Sequence, residues 1–453
     1  MTISRVLCAV AALAMAAPTL SALPAFPASH LAVGVPTPPP DTAVTSKFDV
    51  DGVTVILRQN PANEVIAANL YLLGGARQLT PTNAGIEALI LLASERGTKR
   101  FPGARARQQT AMLGSTISIE ANDDWSAIGL HAIRSTFDST WAIMADRVIA
   151  PTLAAADVEM AREQMIASAR QRTTHPDDAA SALADSLLYQ QHPYAVPATG
   201  TPASLASLTI PQLRAYHAEQ FVTSRMLLVV VGNIDRPHVE RLVRSSIAQL
   251  PRGNYKWTPP PPPSAGAGRA LAIENRALPT NYVLGYVPGP AATAPDYAAL
   301  RVATAVLSGR LYTEVRSRRN LSYDVEAQFL ERANAVGGLY VTTVDPNAVL
   351  RIMRRELSTL QNEPVDPEGL KRLTQQFITE YYMKNETNAD QANALARAEV
   401  FTGDYREVDR FMDELRRVTP ADVQRAARQY LKDFRFAYIG DASKLDRSLL
   451  GQF

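Results

Sequence analysis

Leu208–Asp235 reads "LTIPQLRAYHAEQFVTSRMLLVVVGNID", and Val418–Ser443 reads "VTPADVQRAARQYLKDFRFAYIGDAS". In each, a Thr (Thr209, Thr419) stands where it can cap an amphipathic helix and a Pro falls near the first turn. An aromatic residue follows, and an apolar strand closes on Gly-Asn or Gly-Asp. Two runs this alike mark an internal repeat. The beginnings of the repeat match more loosely: Val65–Ser94 and Asn281–Gly309 each read as a strand, a Gly/Pro turn and an apolar helix. Between the halves lies "PRGNYKWTPPPPPSAGAGRA", residues 251–270, a Pro run followed by Gly and Ala. Such a segment is stiff, extended and poor at packing, and it reads as a linker. The predicted fold is α+β: two homologous α/β-sandwich domains, residues 45–250 and 271–453, with strands grouped and helices segregated.

The 453 residues are 46% hydrophobic and 20% charged, enough apolar material for packed cores in two or more domains. Lys and Arg total 46 against 44 Asp and Glu, a net charge of +2 that gives no basic field for nucleic acid. Residues 1–25 carry Arg5, then an apolar run, then small residues near Ala22 and Ala25. That pattern predicts a secretory signal, hence an exported and most simply periplasmic chain, with residues 26–44 as a flexible leader. No later stretch approaches the roughly 20 apolar residues that a spanning helix needs, so no transmembrane segment is expected after signal cleavage. The one cysteine, Cys8, falls inside the signal, which leaves neither disulfides nor thiolate catalysis to the mature chain.

Gly74–Gly103, "GGARQLTPTNAGIEALILLASERGTKRFPG", resembles the signature region of the pitrilysin/insulinase zinc metallopeptidases, which include the mitochondrial processing peptidases. That signature is a strand ending in Gly-Ser/Ala-Arg, a turn, and a helix with His-x-x-Glu-His followed by Gly-Thr. Gly75, Ala76, Arg77, Gly85, Gly97 and Thr98 keep the frame. Counted back from Gly97-Thr98, the two His positions fall on Ala88 and Leu92 and the Glu position on Leu91. The resemblance puts the third zinc ligand at Ser168, with a companion acidic position at Ala161. Zinc hydrolysis needs two imidazoles one turn apart and a carboxylate between them, which these residues cannot supply. The six histidines agree: no two lie within five residues of each other. No metal and no other cofactor is expected in this chain.

Leu307–Ala327, "LSGRLYTEVRSRRNLSYDVEA", is similar to the family's second-domain segment of Leu-Phe-x-x-Leu-Arg and Gly-Leu-x-Tyr. Gly309, Leu311 and Leu321 match, Tyr312 and Val315 replace Phe and Leu, and Asn320 stands where the family often has Gly. The resemblance implies that Arg316 and Tyr323 reach toward a substrate held at a zinc. Tyr323 would donate to the carbonyl under attack and Arg316 would hold substrate backbone. The spacing itself admits two placements: one face of a helix two turns apart, or a helix end and the strand after it. Arg318 and Arg319 read as solvated surface charges and Leu321 as core.

Loss of the first-half ligands with retention of the second-half pair implies a subunit that is inactive alone. It would complete a heterodimer with a homologous zinc-bearing partner that cleaves peptides or unfolded segments. The alternative is a non-catalytic scaffold or peptide-binding subunit resembling the core proteins of respiratory complexes. An unrelated hydrolase finds no Gly-x-Ser-x-Gly elbow, nucleophilic Cys or P-loop.

Overall fold

The computed structural model describes residues 44–264 and 270–453, so the predicted signal and most of the leader lie outside the described residues. The first half runs β1 (Val44–Val50), β2 (Val53–Gln59), β3 (Val65–Leu73), α1 (Ile86–Ser94), α2 (Arg105–Met112), β4 (Thr116–Ala121) and β5 (Trp125–Ile133). It continues through α3 (Phe137–Ile149), α4 (Ala155–Thr174), α5 (Pro176–Leu188), α6 (Pro202–Ser207), α7 (Ile210–Gln220), β6 (Met226–Gly232) and α8 (Arg236–Arg244). The second half runs β7 (Leu271–Asn275), β8 (Asn281–Ala291), α9 (Asp296–Leu311), β9 (Val325–Leu330) and β10 (Asn334–Thr343). Then come α10 (Pro346–Asn362), α11 (Pro367–Lys384), α12 (Asn388–Thr402), α13 (Glu407–Arg417), α14 (Pro420–Tyr430) and β11 (Arg435–Gly440).

The repeat is exact in topology. The first sheet is ordered β1-β2-β6-β3-β5-β4 and the second β7-β11-β8-β10-β9. Apart from the extra edge strand β1, each strand has its counterpart in place, and each sheet holds one parallel pair, β2 with β6 and β7 with β11. The decisive helices start as their sequences dictate. Thr209 and Thr419 each accept a hydrogen bond from the backbone N–H three residues on, while the Gln212 and Asp422 side chains accept one from the cap's own backbone N–H, two complete capping boxes. The strands they lead into, β6 and β11, are buried along their whole length, which is why both, apart from Arg435 at the start of β11, are mainly apolar rather than alternating.

Each sheet has its own helical layer on one face and a borrowed helix on the other. α1, α3 and α7 cover the first sheet through Leu89, Ile90, Trp141 and Leu213, while α9, α10 and α14 cover the second through Leu300, Val349 and Val423. On the opposite faces the halves exchange. Ala392, Leu395, Ala396 and Val400 of α12 pack on Ile56, Tyr71, Leu227 and Val229 of the first sheet. Ala180, Ala184 and Leu188 of α5 pack on Leu284, Tyr286, Ala437 and Ile439 of the second. The small Ala stripes let each helix lie close to a foreign sheet, and the exchange joins the halves through apolar surface rather than through the linker alone.

The linker is extended, as its prolines dictate, but it is not poor at packing. Proline lacks a donor yet keeps its carbonyl. Asn334 donates to the carbonyls of Pro260 and Pro261 at 3.0 and 3.1 Å, and Arg435 donates to that of Ser264 at 2.8 Å. Arg77 of the first half stacks its guanidinium 4.9 Å from the Trp257 ring centre, and the Trp257 indole N–H donates to Val400 of α12. The segment therefore straps the two halves together.

A half-buried charge cluster closes the same junction. Arg332, in the β9–β10 turn, meets Asp185 of α5 at 3.1 Å and Asp123 of the β4–β5 turn at 3.8 Å, and donates to the Tyr189 hydroxyl at 2.6 Å. Burial pushes the Asp123 carboxyl up from 3.8 to about 6, against the pull of Arg332. A carboxyl whose folded pKa lies above its unfolded one binds a proton in the native state first, so its contribution to stability improves as pH falls from 7 toward 4. Asp123→Asn removes that titration. Relative to the wild type, the variant should lose on the order of 2 kcal/mol between pH 7 and pH 4, allowing for the side chain's 30% exposure. His131, His192 and His217, whose pKa values burial lowers, titrate with the opposite sign but are common to both proteins and cancel. Urea unfolding of both proteins at several pH values measures this, and a pH-independent difference would refute it.

Candidate functional site

α1 begins at Gly85, whose φ of +87° and close approach to Leu205, 2.8 Å from where a Cβ would stand, leave room for no side chain. The helix it opens is core. Ala88 is 7% exposed and Leu91 1%, while Leu92 is half-buried and packs against the first-half core. Ala161 on α4 is fully buried against the same core, and Ser168 two turns further along the helix is exposed, its hydroxyl accepting from Arg172 at 3.4 Å. Methyl and isobutyl groups hold no lone pair, and a lone serine hydroxyl is a poor zinc ligand, so these positions do not fit a zinc ion. Among the described residues no group of three or more His, Cys, Asp and Glu side chains stands together as a metal cluster would.

Glu87 breaks the apolar run of α1, and its carboxylate meets the Arg225 guanidinium at 3.0 Å with the two side chains 2% and 1% exposed. The Tyr216 hydroxyl donates to the same carboxylate at 3.0 Å. Arg225 also donates to the backbone carbonyls of Leu73 and Gln220, at 2.8 and 3.0 Å. This cluster anchors α1 to the end of β3. A lone carboxylate in a helix of leucines and isoleucines was its sequence signal, since a buried charge needs a partner.

The second-half residues come together. α9 runs into a π-helical turn, Tyr312–Ser317, in which Arg318 N–H bonds the Thr313 carbonyl. Asn320 then turns left-handed at φ +50°, its N–H on the Arg316 carbonyl at 3.0 Å. Asparagine tolerates that conformation better than other residues with a β-carbon, so it serves where the related segment has glycine. The reversal carries Ser322 and Tyr323 back alongside Arg316, the helix-end arrangement rather than two turns of one helix. Arg316 Nη1 donates to the Tyr323 carbonyl at 2.9 Å, and its guanidinium lies 4.3 Å from the Tyr323 ring centre. Tyr323 is 81% exposed and its hydroxyl takes no partner among the described residues. Val315 and Leu311 beneath it are fully buried, and Leu321 packs half-buried on the second core. Arg318 and Arg319 are exposed, and both pair with Glu314, which Arg355 also reaches at 3.0 Å.

Residues 207–377 match the family described as "Peptidase M16 inactive domain". A curated "uncharacterized zinc protease" of Mycobacterium leprae is 23% identical over 401 residues, covering 86% of this chain and 90% of that protein. Over these spans the chain is similar to proteins of the peptidase M16 family. Mitochondrial-processing peptidase subunit beta of Blastocladiella emersonii is 21% identical, covering 86% of each chain. The crystal structure of a peptidase M16 inactive domain from Pseudomonas fluorescens superposes with a TM-score of 0.79 at 20% identity, over 88% of this chain and 98% of that one. The M16 fold thus accounts for the duplicated sheets and for the span of the chain as a whole.

Proposed function

We propose that this chain is the zinc-free subunit of a two-subunit M16 metallopeptidase and supplies Arg316 and Tyr323 to a site whose metal is carried by a homologous partner. The observation that carries the reading is the pair itself, pre-stacked on a turn over buried Leu311 and Val315, with Tyr323 left 81% exposed and its hydroxyl without a partner among the described residues. A scaffold has no chemical need for an ordered, solvent-facing arginine and phenol. An incomplete active site does. A peptide carbonyl under attack gathers negative charge, and a phenol donor aimed at it stabilises that charge where water is excluded. Arg316 has one N–H tied to the Tyr323 carbonyl, while its remaining donors take no partner among the described residues and are open to substrate backbone. An extended peptide presents its carbonyls in such an array, and peptides or unfolded segments are the substrate class.

The same reading places the chain in an exported, periplasmic setting, supported by the N-terminal signal pattern and a cysteine-free remainder. No helix among the described residues is long and apolar enough to cross a membrane. The first test is composition and activity of the chain purified alone. It is expected to hold no stoichiometric zinc and to show no chelator-sensitive cleavage of a quenched fluorescent peptide. One tightly held zinc per chain would overturn the proposal.

A further inference from the structure

Arg316 has a second aromatic neighbour that the pair alone does not explain. Tyr312, four residues earlier in the same turn, places its ring centre 5.2 Å from the Arg316 guanidinium, opposite in the chain to the 4.3 Å contact with Tyr323. Residues four apart share one face of a helix, and the π-helical turn Tyr312–Ser317 keeps that spacing, so ring 312 stands beside guanidinium 316. Tyr312 is 48% exposed and its hydroxyl takes no partner among the described residues, so neither core packing nor a hydrogen bond accounts for an aromatic there.

We infer that Tyr312 is a positioning residue of the substrate grip: together with Tyr323 it holds the Arg316 guanidinium between aromatic contacts, leaving its unpaired N–H edge as the surface offered to ligand. This rests on the shared-site reading above. A guanidinium on a flexible stem loses rotamer freedom when it grips a substrate, and a stack that orders it beforehand removes that loss from binding. Tyr312 acts on Arg316 through its ring face and not through its hydroxyl.

The effect is read in two places. In the chain alone, with arginine isotopically labelled, the Arg316 Nε–H resonance should move toward its solvent-exposed position in Tyr312→Ala and stay in place in Tyr312→Phe. In the complex with the zinc-bearing partner, Tyr312→Ala should raise KM for a quenched fluorescent peptide by roughly two- to five-fold at nearly constant kcat, the fold-change matching an exposed cation–π contact, and Tyr312→Phe should behave as wild type. An unmoved Nε–H resonance in a folded Tyr312→Ala chain overturns the inference. So does an unchanged KM in Tyr312→Ala when Arg316→Ala still raises it, with the shared site left intact. Silence of Arg316→Ala and Tyr323→Phe together with Tyr312→Ala instead removes the shared-site reading, and this inference with it.

Discussion

Tyr323→Phe in the assembled complex is expected to slow peptide turnover by about 10²-fold or more while the complex still forms and still holds its metal. The substitution removes one phenol donor: the ring that stacks at 4.3 Å from Arg316 remains, and the hydroxyl has no partner among the described residues to lose. Stability of the variant should therefore match the wild type, which separates chemistry from folding. The defect belongs in kcat, because a donor aimed at developing charge acts in the transition state and not in the ground state. Arg316→Ala behaves differently. It removes a group that holds substrate backbone before and during reaction, so KM rises and kcat falls together. It also frees the Tyr323 carbonyl that Nη1 now holds, so its stability must be measured beside its kinetics. A folded, partner-bound Tyr323→Phe complex that cleaves peptide at the wild-type rate would eliminate the shared site and leave the scaffold role.

Much of this architecture was legible because it is local. A Thr followed three residues later by Gln212 or Asp422 closes a capping box within one turn, and the strand after it needs only its apolar run to be recognised. That Arg316 and Tyr323 lie side by side was one of the two placements their spacing admitted, and the turn at Asn320 decides between them. What escaped is what the chain closes over long separations. The reciprocal exchange of α5 and α12 leaves only Ala stripes in the sequence, which read equally well as packing against a helix's own sheet. The proline run announces stiffness but not that its carbonyls will be used, since acceptors carry no sequence signal of their own. The π-turn arises where α9 widens by one residue, and no composition marks it.

The Glu87–Arg225 pair is the clearest case of a long-range contact whose removal should be felt. Arg225→Met leaves the Glu87 carboxylate buried with only the Tyr216 hydroxyl to serve it, and uncovers the Leu73 and Gln220 carbonyls. Burial works against the charge of Arg225, and Glu87 together with Tyr216 and Tyr255 more than offsets it, so the arginine's pKa lies above its ordinary value and the charged state depends on these partners. Breaking one side of such a pair costs about 3–5 kcal/mol, a large share of the 5–15 kcal/mol that holds a typical domain folded. Arg225→Met should therefore lower the urea midpoint sharply at neutral pH. Replacing both partners, Glu87→Leu with Arg225→Met, should recover most of the loss, because two charges that no longer need desolvation are exchanged for apolar contact with Leu89, Ile90 and their neighbours. The two backbone carbonyls remain unserved in the double variant and set the residual deficit at about 1–3 kcal/mol. A single Arg225→Met that costs less than about 1 kcal/mol, or a double variant no more stable than the single one, would show that α1 is held by its apolar face alone.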